Sequence, residues 1–139
     1  MNREQIIAML HATACSCVVA NGERIESFHE RGVKDLHRLL CDDRALLDGA
    51  FIADKVVGKA TAFLYCLLGV KTVHANVLSD AAAQVFARAN IPFSCDTRVP
   101  AIRNRTNTGL CPMENATKDI DDPLLALAAI RQTLKNLQN

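Results

Sequence analysis

Tryptophan is absent from this sequence, tyrosine occurs once and phenylalanine five times. The core must therefore be aliphatic and rich in alanine if it is to reach the packing density of ordinary protein interiors. Long hydrophobic runs are lacking too. The longest largely apolar stretch, Ala60 to Val70, is about half of what a bilayer span requires. Charge of one sign is not in surplus: 16 basic residues face 15 acidic ones, for a net charge of +1. Such a balance gives no electrostatic footprint for nucleic acid or for an anionic membrane surface, and neither is expected as a partner. Arg3, Glu4, Gln5 and His11 interrupt any apolar core that an export signal would need near residue 1. The chain is therefore expected to be cytoplasmic, with its six cysteines as reduced thiols rather than a disulfide framework.

The 139 residues suit one ordinary domain spanning 1–139, with enough chain to bury a core without a covalent or metal staple. Residues Asn2 to Ala12 have helical spacing, with Ile6, Ile7 and Leu10 on one side. Cys15 to Ala20, the Asn21-Gly22 turn signal and the alternating Arg24 to Phe28 predict an antiparallel hairpin. A short helix is expected over Val33 to Leu40. A longer one is expected over Asp54 to Leu68, with Asp54 as its cap and Gly69 at its C-terminal end. Strand Lys71 to Leu78, a helix capped by Ser79 and Asp80, and a strand from Ile91 toward Val99 follow. Residues 103–115 are polar and loop-like. A last helix opens at Asp122-Pro123, with Leu124, Leu127, Ile130, Leu134 and Leu137 on one face. Strands separated by helices favour parallel pairing within a covered sheet. The expected fold is a three-layer α/β/α sandwich whose mixed sheet has the hairpin at one edge and parallel later strands.

Two places draw chemical interest. On the expected helix from Asp54, Lys55 and Lys59 oppose the positive end of the helix dipole. An anion bound there would turn that cost into attraction, and Gly58 would let it approach. Two solvated lysines and a packing glycine are the simpler account. The second place is Cys111-Pro112-Met113-Glu114. If a helical turn starts at Pro112, Cys111 is its cap, and a thiol at such a position can ionise near neutral pH. Arg103 and Arg105, with Asn104 between them, come shortly before, and Glu114 can accept a proton or complete a cap. A small buried loop cysteine is the plainer alternative. Arg31, at a turn with Gly32, is within range of a bound anion.

The strings Asp54-Lys55-Val56-Val57-Gly58-Lys59-Ala60, Asn104-Arg105 and Cys111-Pro112-Met113-Glu114 resemble the prokaryotic family called domain of unknown function 1893. The resemblance covers most of the chain. It implies a cytidine-deaminase-like fold and no known reaction. In that fold the start of the long helix lines a pocket, and Ser79 would face the same pocket. A homo-oligomer is expected, since dimers are common in this fold class. A working zinc deaminase needs His-x-Glu at one helix start and Pro-Cys-x-x-Cys at the next. Neither occurs here: the four histidines are scattered and no Cys-x-x-Cys exists.

The expected function is a metal-independent site, without a cofactor, for a small anionic molecule such as a nucleotide or phosphate. Asp54, Lys55, Gly58, Lys59, Ser79, Arg103, Asn104 and Arg105 would bind it, and Cys111 and Glu114 would contact or react with it. Two other functions fit the same residues: a non-catalytic interaction subunit that kept the fold, and a divergent metal-dependent hydrolase. Whether the protein is an enzyme is left open by its sequence.

Overall fold

The computed structural model describes residues 2–29, 33–104 and 106–138, apart from the side chain of Gln138. Five strands form one mixed sheet: β1 (Cys17–Asn21), β2 (Arg24–Phe28), β3 (Phe51–Val57), β4 (Thr72–Ser79) and β5 (Phe93–Val99). Their order across the sheet is β2-β1-β3-β4-β5. β1 runs antiparallel to both β2 and β3, whereas β3, β4 and β5 are mutually parallel. The hairpin thus forms one edge and the later strands are parallel, as the sequence pattern indicates.

Helices α1 (Arg3–Ala12), α2 (Lys34–Asp42), α3 (Lys59–Leu68), α4 (Asp80–Arg88), α5 (Pro112–Thr117) and α6 (Pro123–Gln138) complete the fold. β2 and β3 flank β1 and run parallel to each other, so β2-α2-β3, β3-α3-β4 and β4-α4-β5 are all parallel crossovers that advance in one direction. The strong preference for right-handed crossovers then puts their three helices on the same face. The two buried clusters follow that division. Val19, Ile52, Val73 and Ala75 pack with residues of α2, α3, α4 and α6 on one side. Val18 and Ala53 pack with Ile6 and Leu10 of α1 on the other. α1 starts with a reciprocal cap in which Asn2 and Gln5 exchange side-chain and backbone hydrogen bonds of 2.9 Å. α3 ends at Gly69, whose φ of 77° lies in the left-handed region that glycine adopts without penalty.

The structure corrects one expected element. Residues 54–57 are not the first turn of a helix. They finish β3, a central strand paired on both sides, and the helix starts only after Gly58. Asp54 therefore caps nothing, and Lys55 and Lys59 do not share a helical face. Val56 happens to stand four residues before Ala60, which counterfeits a continuous apolar stripe across the junction. The loop-like 103–115 stretch also contains structure: an Arg103–Leu110 bridge and the start of α5. On α6, Asp122 Oδ1 accepts from the Leu124 amide at 2.8 Å as expected of a cap. Only Ile130 of the five expected leucine and isoleucine positions is fully buried, while Leu124 and Leu137 are exposed.

Candidate functional site

A cleft of about 950 Å³ opens on the helix-rich side of the sheet. Its wall comes from the approach to β1, the first turn of α2, β3, α3, the Ile102–Asn104 segment, α5 and the end of α6. Among the lining groups is the buried carboxyl of Asp54. Cys17 and Asp54 are directly paired across β1 and β3, so their side chains leave the sheet on the same face. Tyr65 of α3 reaches down to them, and its hydroxyl donates to Asp54 Oδ2 at 2.5 Å. The other oxygen, Oδ1, accepts from the Val56 amide at 3.2 Å.

Burial governs the protonation of this group. Removal from water pushes the Asp54 carboxyl up to about 7, although the Tyr65 hydroxyl and the Val56 and Lys55 amides favour its charged form. Burial, and then the Asp54 charge, also raise the Cys17 thiol and the Tyr65 phenol well above their ordinary ranges. Cys17 is therefore a neutral thiol in the floor, not a nucleophile.

Glu114 forms the neighbouring wall and is only 6% exposed. Its Oε1 accepts from the Lys59 amide, the first of α3, at 2.5 Å. Burial raises its carboxyl above the usual range, while the Lys59 amide and ammonium act in the other direction. The start of α3 therefore does attract an anion, but the anion is the protein's own. A Cβ on Gly58 would lie 2.0 Å from Glu114 Oε1. Gly58 is needed for that approach and not for an external ligand at the same spot.

The other expected site residues divide. Asp54, Lys55, Gly58, Arg103, Asn104, Cys111 and Glu114 all line the cleft. Cys111 holds the N-cap position of α5, yet its side chain makes no hydrogen bond to the helix amides. Lys55 lies at the mouth, its ammonium donating to the Thr13 carbonyl at 3.3 Å. Arg103 donates to Asn107 Oδ1 at 2.7 Å, and Asn104 Oδ1 accepts from the Thr108 amide at 3.0 Å, so both belong to one folded loop. Two residues are not brought in. Lys59 is buried elsewhere: its ammonium donates to the Lys118 carbonyl at 3.0 Å and stands 5.8 Å from the Phe63 ring centre. Ser79 is fully buried as the cap of α4, where it accepts from the Ala82 amide at 3.1 Å. Arg31 and Arg105 lie outside the described residues. Replacing Lys59 with Met should lower stability by about 1–2 kcal/mol, because the Lys118 carbonyl loses a buried charged donor. It should leave ligand affinity at the cleft unchanged, which calorimetric titration and denaturant unfolding would check together.

Sequence reasoning overlooked Asp35, Thr61 and Tyr65. One signal was available, because Tyr65 is the only tyrosine and sits in an apolar helix, where a buried hydroxyl must find a partner. Among the described residues no group of three or more His, Cys, Asp or Glu side chains is placed to hold a metal ion.

A family model described as a domain of unknown function (DUF1893) matches residues 5–134. The chain belongs to the DUF1893 family. Its fold is similar to that in the crystal structure of a DUF1893 family protein from Thermotoga maritima, with a TM-score of 0.85 and 22% sequence identity. The likeness covers 95% of this chain and 91% of the other. None of the curated proteins compared with it matches this chain. Family membership agrees with the resemblance carried by the Asp54–Ala60 and Cys111–Glu114 strings. These two strings meet at one place, the contact between Gly58, the Lys59 amide and Glu114. No helix among the described residues is long and apolar enough to cross a membrane.

Proposed function

We propose that the cleft binds a small molecule carrying an anionic, nucleotide- or phosphate-like group, with no metal or cofactor taking part. The supporting observation is a cleft of about 950 Å³ whose lining includes the cations Lys34, Lys55 and Arg103 beside Asn104 and Cys111. The size suits a ligand of a few hundred daltons. The anionic group belongs at the mouth, among those cations, because Glu114 already occupies the start of α3. In this reading the Cys111 thiol contacts the ligand, with Glu114, three residues on, as the acceptor beside it. We also read the architecture as cytidine-deaminase-like, the chain as a single domain and the protein as a cytoplasmic homo-oligomer.

Cysteine alkylation tests the reading. At pH 7.5, iodoacetamide should modify Cys111 and the exposed Cys41 before the buried Cys15 and Cys17. Cys66 should also lag, since burial pushes its thiol up to about 11. Adenosine 5′-monophosphate should slow Cys111 several-fold while leaving Cys41 as it was. If no nucleotide, sugar phosphate or inorganic phosphate protects Cys111, the weight moves to a second reading, a non-catalytic interaction subunit. The exposed Leu124 and Leu125 at the start of α6 favour that reading.

A further inference from the structure

The inner half of the cleft has a composition unlike its mouth. Asp54 and Glu114 are carboxylates, and the ammonium of Lys59 is turned away to the Lys118 carbonyl. Among the described residues no cation forms an ion pair with either carboxylate, although the Lys59 charge still favours ionised Glu114. Two polar groups there also lack partners. Thr61 is 8% exposed and lines the cleft, yet its hydroxyl makes no hydrogen bond among the described residues. Thr61 is the third residue of α3 and the carbonyl four positions before it belongs to Val57 of β3, so it lacks the back-bond that Thr117 and Thr133 make within their own helices at 2.8 Å. Glu114 gives Oε1 to the Lys59 amide, but Oε2 accepts nothing among the described residues. Among the described residues no buried side-chain nitrogen or oxygen is left without a partner, so both atoms are open to the cleft, where water serves them until a ligand with donors displaces it.

Resting on the small-molecule reading above, we propose that the inner cleft receives the N–H end of the ligand. That end is an amino, amidino or amino-heterocyclic group, donating to Glu114 Oε2 and Thr61 Oγ1. The molecule is then two-ended, with donors inward and the anionic group outward among Lys34, Lys55 and Arg103. Inorganic phosphate alone would satisfy only the mouth. An acceptor in place of the N–H group would face Glu114 Oε2 with no donor between them, and binding would then bury that oxygen unpaired. Sites of that kind discriminate strongly, because each unmade buried bond costs the full desolvation of its partner.

Calorimetric titration of the full chain with matched pairs tests this. Phosphoethanolamine would be compared with ethyl phosphate, and adenosine 5′-monophosphate with inosine 5′-monophosphate, beside inorganic phosphate. The amino member of at least one pair should bind about tenfold or more tightly than its partner. Thr61→Val keeps the shape of the side chain and should shrink that ratio while thermal unfolding shows an intact fold. Glu114→Gln places a donor against the ligand's donors and should abolish the ratio or reverse it. Equal binding within both pairs, or a ratio untouched by both variants, would overturn this assignment alone and leave the cleft reading standing. Silence from every probe would overturn the cleft reading and this assignment with it.

Discussion

Between pH 4 and pH 8, the Asp54→Asn protein should gain on the parent by up to roughly 4 kcal/mol of folding stability. Asp54 titrates at about 7 in the fold, against 3.8 for an ordinary aspartate, a difference of about 3 units. Each unit is worth about 1.4 kcal/mol. The sign follows from proton binding. Above pH 4 the unfolded chain releases this proton while the folded chain keeps it, so raising the pH draws the equilibrium toward the unfolded state. The favourable contribution is complete below about pH 4. It is lost progressively up to about 7, where the folded group also ionises and the slope ends. Asparagine cannot titrate, yet its side-chain oxygen still accepts from Tyr65. The difference between the two unfolding curves therefore isolates one carboxyl, cancelling the other acids, which act in both proteins. For a chain of this length the melting temperatures should diverge by on the order of 10 °C across the range. A constant difference at every pH would mean that Asp54 ionises in the fold as it does in water.

A second large effect is expected at Gly58. Its backbone, with φ of −99°, is open to any residue, so Gly58→Ala meets no conformational penalty. The new methyl would instead stand 2.0 Å from Glu114 Oε1 and 3.2 Å from Ile102 Cγ1. Glu114 must then abandon the Lys59 amide, leaving a buried carboxylate and a helix N–H without each other. The expected loss is about 2–3 kcal/mol by denaturant unfolding. Glu114→Ala removes both the obstacle and the bond. The double variant should therefore be less damaged than the two single losses added together, with a coupling of about 1–2 kcal/mol. Strict additivity would show that the two residues do not meet.

The same two residues show why the sequence was readable only in part. The hairpin, the β4-α4-β5 unit and the caps at Ser79 and Asp122 are written in local chemistry: a turn dipeptide, alternation, a hydroxyl or carboxylate before a helix. β3 is not. A central strand in a parallel sheet need not alternate, and the charged pair Asp54-Lys55 in its middle looked like a helix start. What makes a buried aspartate tolerable is Tyr65, eleven residues on, and the Cys17 strand far behind it. Partners at that range leave no periodic trace. The cleft was legible where its residues cluster in sequence, at 103–114, and at Lys55 and Gly58. Lys59 was misplaced because the expected helix started four residues too early. Thr61 and Tyr65 went unremarked because their importance depends on which way α3 faces, and no spacing within α3 reveals that.

The cleft takes its wall from stretches around residues 14–17, 33–36, 54–65, 102–114 and 134–137. Nearly the whole length of the chain is needed to assemble it, and no contiguous fragment contains it. Occupancy and integrity of the fold are therefore thermodynamically linked. A ligand at a hundred times its dissociation constant would add about 2.7 kcal/mol to the stability of the entire chain, not to one region of it. Protection from proteolysis or hydrogen exchange by such a ligand would extend to α1 on the far side of the sheet, which touches none of it.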